Sequence, residues 1–153
     1  MARITVQERE RKKAELDDIV LSIFWNEGIE ALTYSRVAEL YNTSRGAVQR
    51  YYPSQNDLYA SMRGKVMPLM MAKLDWSNAD AFYSSWVNSL SDKDDIRFQR
   101  VIELLFHHTL KSPSSQSAIA AVEKLTEQVE MRFGDDSMIK RLLGESFLHL
   151  LKS

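Results

Sequence analysis

Cysteine is absent from the 153 residues. That excludes a disulfide framework, a thiolate zinc site and a cysteine nucleophile together. Long apolar runs are missing too. No stretch approaches the roughly 18 uninterrupted apolar residues that a membrane-spanning helix needs. Met1 to Lys13 is polar, carries charges of both signs and lacks the apolar core of a secretory signal. A cytoplasmic protein with no membrane partner is therefore expected. Glycine and proline are scarce, at five and three, and alternating apolar–polar runs of strand type do not occur, which leaves helices to build the core. A bulk excess of positive charge is also lacking. The net charge is −1; residues 1–66 hold ten Lys/Arg against nine Asp/Glu, and residues 67–153 hold ten against twelve. Any nucleic-acid contact must then come from a local cluster, such as Arg3, Arg9, Arg11, Lys12 and Lys13 with Arg36, Arg45 and Arg50.

Stripes of 3.6-residue period run through the whole chain. Leu16, Ile19, Val20, Ile23 and Phe24 make one face, ending at Asn26-Glu27-Gly28, where Gly28 suits the residue just past a helix. Val37, Ala38 and Tyr41 mark a short second helix, and Val48, Tyr51 and Tyr52 a third. Leu58, Met62, Val66, Leu69 and Met70 mark a longer fourth, which Pro68 ends near Met67 or kinks. Asn78 to Leu90 and Ile96 to Leu110 follow. Ser112-Pro113-Ser114-Ser115 reads as a loop. Two long stripes close the chain, Ala118 to Phe133 and Ile139 to Leu151. The expectation is an all-α protein. A three-helix head with a helix-turn-helix would occupy residues 1–54, and a helical body that forms a dimer would occupy residues 55–153.

The segment from Thr33 to Tyr52 carries the functional expectation. A helix-turn-helix needs a small residue where the second helix crosses the first, and Ala38 supplies it. Its sharp turn needs a residue that tolerates positive φ, and Asn42 sits where that turn belongs. Thr33, Ser44 and Ser54 fall where N-caps are needed, with Asp57 completing a capping box. The third helix would present Arg45, Ala47, Gln49 and Arg50 outward. Arginine pairs bidentately with guanine and glutamine with adenine. Thr33, Tyr34, Ser35 and Tyr51 offer hydroxyl donors to phosphates. The Arg9-Arg11-Lys12-Lys13 segment, opening the first helix, can approach the neighbouring backbone or minor groove. One of Tyr51 and Tyr52 is expected in the core instead.

From Leu16 to Met62 the sequence resembles the TetR family of bacterial regulators. The carriers are Phe24 and Gly28 in FWNEGIEALT, then Thr33, Val37-Ala38, Ser44, Gly46, Val48, Tyr51-Tyr52 and PSQNDL from Pro53 to Leu58. The resemblance implies a homodimeric DNA-binding transcription regulator, a repressor reading a palindromic operator. Its DNA contacts would come from Thr33, Tyr34, Ser35, Arg36, Ser44, Arg45, Gly46, Ala47, Gln49, Arg50, Tyr51 and Gln55. The chain departs from the family where Asn42-Thr43 replaces glycine-valine, Gln49 a tyrosine, and Gln55 a phosphate-touching lysine. Those departures leave an alternative, a helical protein-interaction module of the same shape without specific operator binding.

The last two helices are expected to make the dimer interface. Met70, Trp76, Phe82, Trp86, Phe106 and His107 are candidates to line a site for a small apolar inducer. No metal or other cofactor is expected: His107 and His108 are adjacent, so on a helix they point about 100° apart. No nucleophile–base pair or phosphate loop is present, and Asp94-Asp95 and Asp135-Asp136 sit near helix starts, where acids favour the dipole. An enzyme is not expected.

Overall fold

The computed structural model describes residues 3–111 and 116–153; the loop expected at 112–115 lies outside the described residues. Among these there are nine α-helices and no strand, as the all-α reading requires. They are α1 (Val6–Glu27), α2 (Tyr34–Tyr41), α3 (Arg45–Tyr51), α4 (Gln55–Ala60), α5 (Met67–Met71), α6 (Ala79–Leu90), α7 (Arg97–Lys111), α8 (Gln116–Phe133) and α9 (Met138–Leu151). A single 3-10 turn, Ile29–Ala31, follows α1. No helix among the described residues is long and apolar enough to cross a membrane.

The chain forms two compact units, one up to Val66 and one from Met67. In the first, α1 starts further upstream than its apolar stripe. Thr5 caps it: the Thr5 hydroxyl accepts from the Glu8 amide (3.1 Å), and the Glu8 carboxylate accepts from the Thr5 amide (3.4 Å). Leu16, Val20, Ile23 and Phe24 are buried at i, i+4, i+7 and i+8, one stripe facing the core. Gly28 stops the helix with φ 95° and ψ 170°, a conformation closed to residues with a side chain, and its amide donates back to Ile23 and Phe24.

The long fourth helix expected over Leu58 to Met70 is instead two pieces, and the break comes earlier than Pro68. Gly64 takes φ 76°, which a continuing helix forbids. Between Ala60 and Met67 the chain winds through 3-10-type bonds, Met62 to Tyr59, Arg63 to Ala60 and Lys65 to Met62. That winding keeps Leu58, Met62, Val66 and Met70 buried although the helix is interrupted. Pro68 sits in the first turn of α5, where its missing N–H has no intrahelical acceptor to leave unpaired.

In the second unit α6 packs on α7 and α9, α7 on α5 and α8, and α8 on α9. Phe82, Trp86 and Leu90 bury one face of α6; Phe98, Val101 and Ile102 bury one face of α7. The Asp95 carboxylate joins Lys73 after α5 (2.5 Å) to Arg97 at the start of α7 (2.8 Å), and these cations hold its carboxyl far below the usual carboxylate range. Ser146 is the one fully buried polar side chain among the described residues. Its hydroxyl accepts from Trp86 Nε1 (2.9 Å) and donates to the Leu142 carbonyl (2.7 Å), fixing the register of α6 against α9. Ser146→Ala leaves the indole N–H buried without an acceptor. It should lower unfolding free energy by about 1–3 kcal/mol in a urea titration; a change too small to resolve would contradict this account of the α6–α9 contact.

Candidate nucleic-acid interface

The corner between α2 and α3 is built as its residues require. Asn42 adopts φ 55°, ψ 51°, the one left-handed non-glycine among the described residues. With the chain turned this way, the Asn42 amide reaches the Glu39 carbonyl (3.2 Å) and the Thr43 amide the Ala38 carbonyl (2.9 Å), which closes the end of α2. Thr33 caps α2 by accepting from the Arg36 amide, and Ser44 caps α3 by accepting from the Ala47 amide, both at 3.1 Å. Val37, Ala38 and Val48 are buried where the two helices pack. Ser54 and Asp57 form the expected capping box of α4.

Two tyrosines lock the corner to α1. Tyr52 is fully buried, its hydroxyl donates to Asp17 (2.5 Å), and Lys13 both pairs with Asp17 (2.6 Å) and lies 4.4 Å over the Tyr52 ring. Burial first, then the bond to Asp17, raises the Tyr52 phenol well above its ordinary value. Tyr41 donates to Glu15 on α1. Tyr52 is therefore the core aromatic of its pair, and Tyr51 stays half-buried.

The exposed arc of α3 consists of Arg45, Gly46, Gln49 and Arg50. Ala47, expected outward, is half-buried because it lies toward α1 with Tyr51. A Cβ built on Gly46 would meet nothing within 4 Å, so no neighbour in the fold requires glycine there. Thr33, Ser35 and Ser44 are exposed at the helix starts.

Three expected DNA contacts are already engaged within the chain. Tyr34 donates its hydroxyl to the Tyr52 carbonyl (2.8 Å), which ties the start of α2 to the end of α3. Arg36 grips Glu27 with two nitrogens (2.9 and 3.1 Å) and also pairs with Glu39 (3.2 Å), which pushes its guanidinium pKa upward. Gln55 donates its amide to the Leu32 carbonyl (3.0 Å) and to the Tyr59 hydroxyl (3.2 Å). Its glutamine is explained by that bond.

The basic residues separate into two groups that sequence reasoning did not distinguish. Arg11 pairs with Glu15 and Lys13 with Asp17, at i, i+4 spacing. Arg9, Lys12, Arg45 and Arg50 have no carboxylate partner among the described residues. The signal was present: Arg9 has no acid three or four positions away on either side. Instead its guanidinium sits 5.2 Å over the Tyr51 ring, as that of Arg45 sits 5.9 Å over Tyr34.

The six residues expected around an inducer do not all line one cavity of the second unit. Met70 and Trp86 border a small, partly open void of about 40 Å³, lined only by apolar side chains such as Met67, Ile102 and Leu125. Phe82 is buried in a ring cluster with Trp76, Trp86 and Phe133. Trp76 also borders an open depression beside Met71 and Met131. Phe106 meets Phe147 edge-on, and His107 meets His108. Ligand sites for drug-sized molecules run to several hundred Å³, so the void as it stands is too small for one. No group of three side chains among the described residues could hold a metal ion.

Tyr52→Phe removes a buried bond to a carboxylate and should cost about 1–3 kcal/mol. The parent protein has the raised phenol pKa in the folded state only. Its contribution is complete below the ordinary tyrosine value of 10.0 and is lost progressively at more alkaline pH. Stability measured against pH should thus fall above about pH 10 less steeply in Tyr52→Phe than in the parent. Identical alkaline slopes would remove Tyr52 from this role.

A model of the tetracycline repressor LuxT C-terminal domain matches residues 63–150, more than half of the chain. No curated protein sequence matches it. The matched residues run from just before α5 into α9, and the corner between α2 and α3 lies upstream of them. A repressor-type domain of this kind points to a regulator rather than an enzyme. The chain belongs to the tetracycline-repressor family of transcription regulators.

Proposed function

We propose that the protein is a sequence-specific DNA-binding repressor that reads a palindromic operator as a homodimer. The observation that carries this reading is the left-handed corner at Asn42, with Arg45, Gly46 and Gln49 exposed on the helix that follows. Arg45 and Gln49 lie one turn apart on that arc, the spacing needed to address neighbouring base edges in a major groove. Gly46 gives helix α3 a smooth patch between them, at a cost in helix stability that nothing inside the fold offsets. Thr33, Ser35, Ser44 and the first amides of α2 and α3 are the phosphate donors of this reading.

The dimer half of the proposal rests on α8 and α9. Phe147, Leu148 and Leu151 lie exposed along α9, as do Ile119 and Met131 on α8. A two-fold pairing through these helices would cover them and place two heads on half-sites about 10 bp apart or a multiple of that. The inducer class that fits is small and apolar, entering beside Met70 and Trp86 by widening the void there. A second reading, a helical interaction module without operator binding, draws on the engagement of Arg36 and Gln55 inside the chain.

Selection from a random DNA pool separates the two. The repressor reading expects a palindromic motif. It also expects Arg45→Ala to weaken binding to that motif by about 1–3 kcal/mol and to relax preference at one base pair. Gly46→Ala should raise thermal stability slightly, by up to about 1 kcal/mol, while weakening the complex. A pool that returns no motif, with Arg45→Ala binding as the parent does, selects the interaction module.

A further inference from the structure

We propose that a surface depression of the second unit, between the end of α5 and the C-terminal end of α8, binds a planar aromatic carboxylate, with the ring on Trp76 and the carboxylate on Arg132. The depression has a volume of about 490 Å³, within the range of small-molecule sites. Five residues line it: Met71, Trp76, Gln128, Met131 and Arg132. All lie in one unit, and none borders the void beside Met70 and Trp86. The site is therefore separate from the place considered for an apolar inducer, and its chemistry does not depend on the DNA-binding reading.

Four arginines lie in this unit: Arg97, Arg100, Arg132 and Arg141. Three pair with carboxylates, Arg97 with Asp95, Arg100 with Glu103 and Arg141 with Asp135. Arg132 has no such partner among the described residues. Its Nε donates instead to the Trp76 carbonyl (2.7 Å), which uses one donor, orients the guanidinium and leaves the two terminal nitrogens to offer. Asp135, one turn further along the chain, is taken by Arg141 and Ser137. No acid lines the depression, so an incoming anion meets only the cation. A planar fork of this kind matches a carboxylate with two parallel bonds.

Trp76 is held as firmly. Asp75, just before it, donates its amide to Ser85 Oγ, and its carboxylate accepts from the Ser77 amide, both at 2.9 Å. The indole stacks nearly parallel on Phe133, with 6.0 Å between ring centres, and tilts against Phe82 at 4.6 Å, yet it stays only half-buried. A flat ring can extend this aromatic stack. Met71 and Met131 supply polarisable thioethers, which favour aromatic contact. Met131 is 88% exposed, so packing inside the fold does not account for a large apolar side chain there. Gln128 brings an amide that can donate to a carboxylate oxygen. A partner helix over Met131, as the dimer reading expects, would wall one side of the site and reduce screening of the ion pair by water.

The test titrates three probes by calorimetry into the parent, Arg132→Gln and Met131→Ser. The probes are naphthalene-2-carboxylate, its uncharged carboxamide, and cyclohexanecarboxylate. The parent should bind the naphthalene carboxylate about tenfold or more tighter than either other probe, because one lacks the charge and the other the aromatic ring. Arg132→Gln should lose the preference for carboxylate over carboxamide. Met131→Ser, at a position that the fold leaves exposed, should weaken both naphthalene probes alike, by roughly two- to tenfold. The methyl NMR signals of isotope-labelled methionines then locate the probe: Met71 and Met131 should shift while the buried Met70 and Met138 stay in place. Equal affinity of the parent for carboxylate and carboxamide, or no binding of the naphthalene carboxylate at millimolar concentration, overturns the proposal. So do shifts at Met67 and Met70 in place of Met71 and Met131, which would put the probe in the apolar void. Should Arg132→Gln fail to fold, the comparison of carboxylate with carboxamide in the parent and the methionine map decide.

Discussion

One backbone conformation organises the first unit: the left-handed turn at Asn42. A residue with a side chain pays about 1–2 kcal/mol to sit there, and asparagine sits there more readily than most because its short amide can bond locally. In return, the amides of Asn42 and Thr43 close α2 at once, and Ser44 opens α3 two residues later. A gentler connection would lay α3 alongside α2. The tight one swings α3 away and leaves four of its seven residues exposed.

A corner of this kind is useful only if it is rigid, and the polar side chains around it serve that end. Tyr34 spans from the start of α2 to the end of α3, Tyr52 reaches α1 through Asp17, and Tyr41 reaches α1 through Glu15. Arg36, Lys13 and Arg11 are held by acids of the same unit. Charges engaged in this way contribute to the shape of the head. Four cations without a carboxylate partner among the described residues, Arg9, Lys12, Arg45 and Arg50, lie on α3 and the N-terminal half of α1. The near-zero net charge thus hides a local excess, which pairing geometry reveals and composition does not.

Much of this was legible in the sequence. Asn42, Ala38 and the caps at Thr33, Ser44 and Ser54 announce themselves because each answers a local backbone need. The apolar stripes announced the helices for the same reason. What the sequence does not display depends on contacts between elements distant along the chain. The bond from Gln55 to Leu32, the grip of Glu27 on Arg36 and the ring of Tyr51 under Arg9 leave no periodic trace. The fourth stripe breaks at Gly64 and not at Pro68, because proline is tolerated in a first turn whereas glycine at positive φ ends a helix. The aromatic and methionine residues of the second unit share a stretch of chain but are divided among several places, with Met70 and Trp86 at one void and Phe106 against Phe147, since helical spacing sends neighbours to different faces.

The most direct measurement is the map of backbone amide NMR shifts on titrating the isotope-labelled protein with its selected duplex. The account predicts that the largest changes fall on Thr33 to Ser35 and Ser44 to Arg50, with Arg9 and Lys12 beside them. Changes confined to α5 through α9, or none at all while DNA is bound, would contradict it.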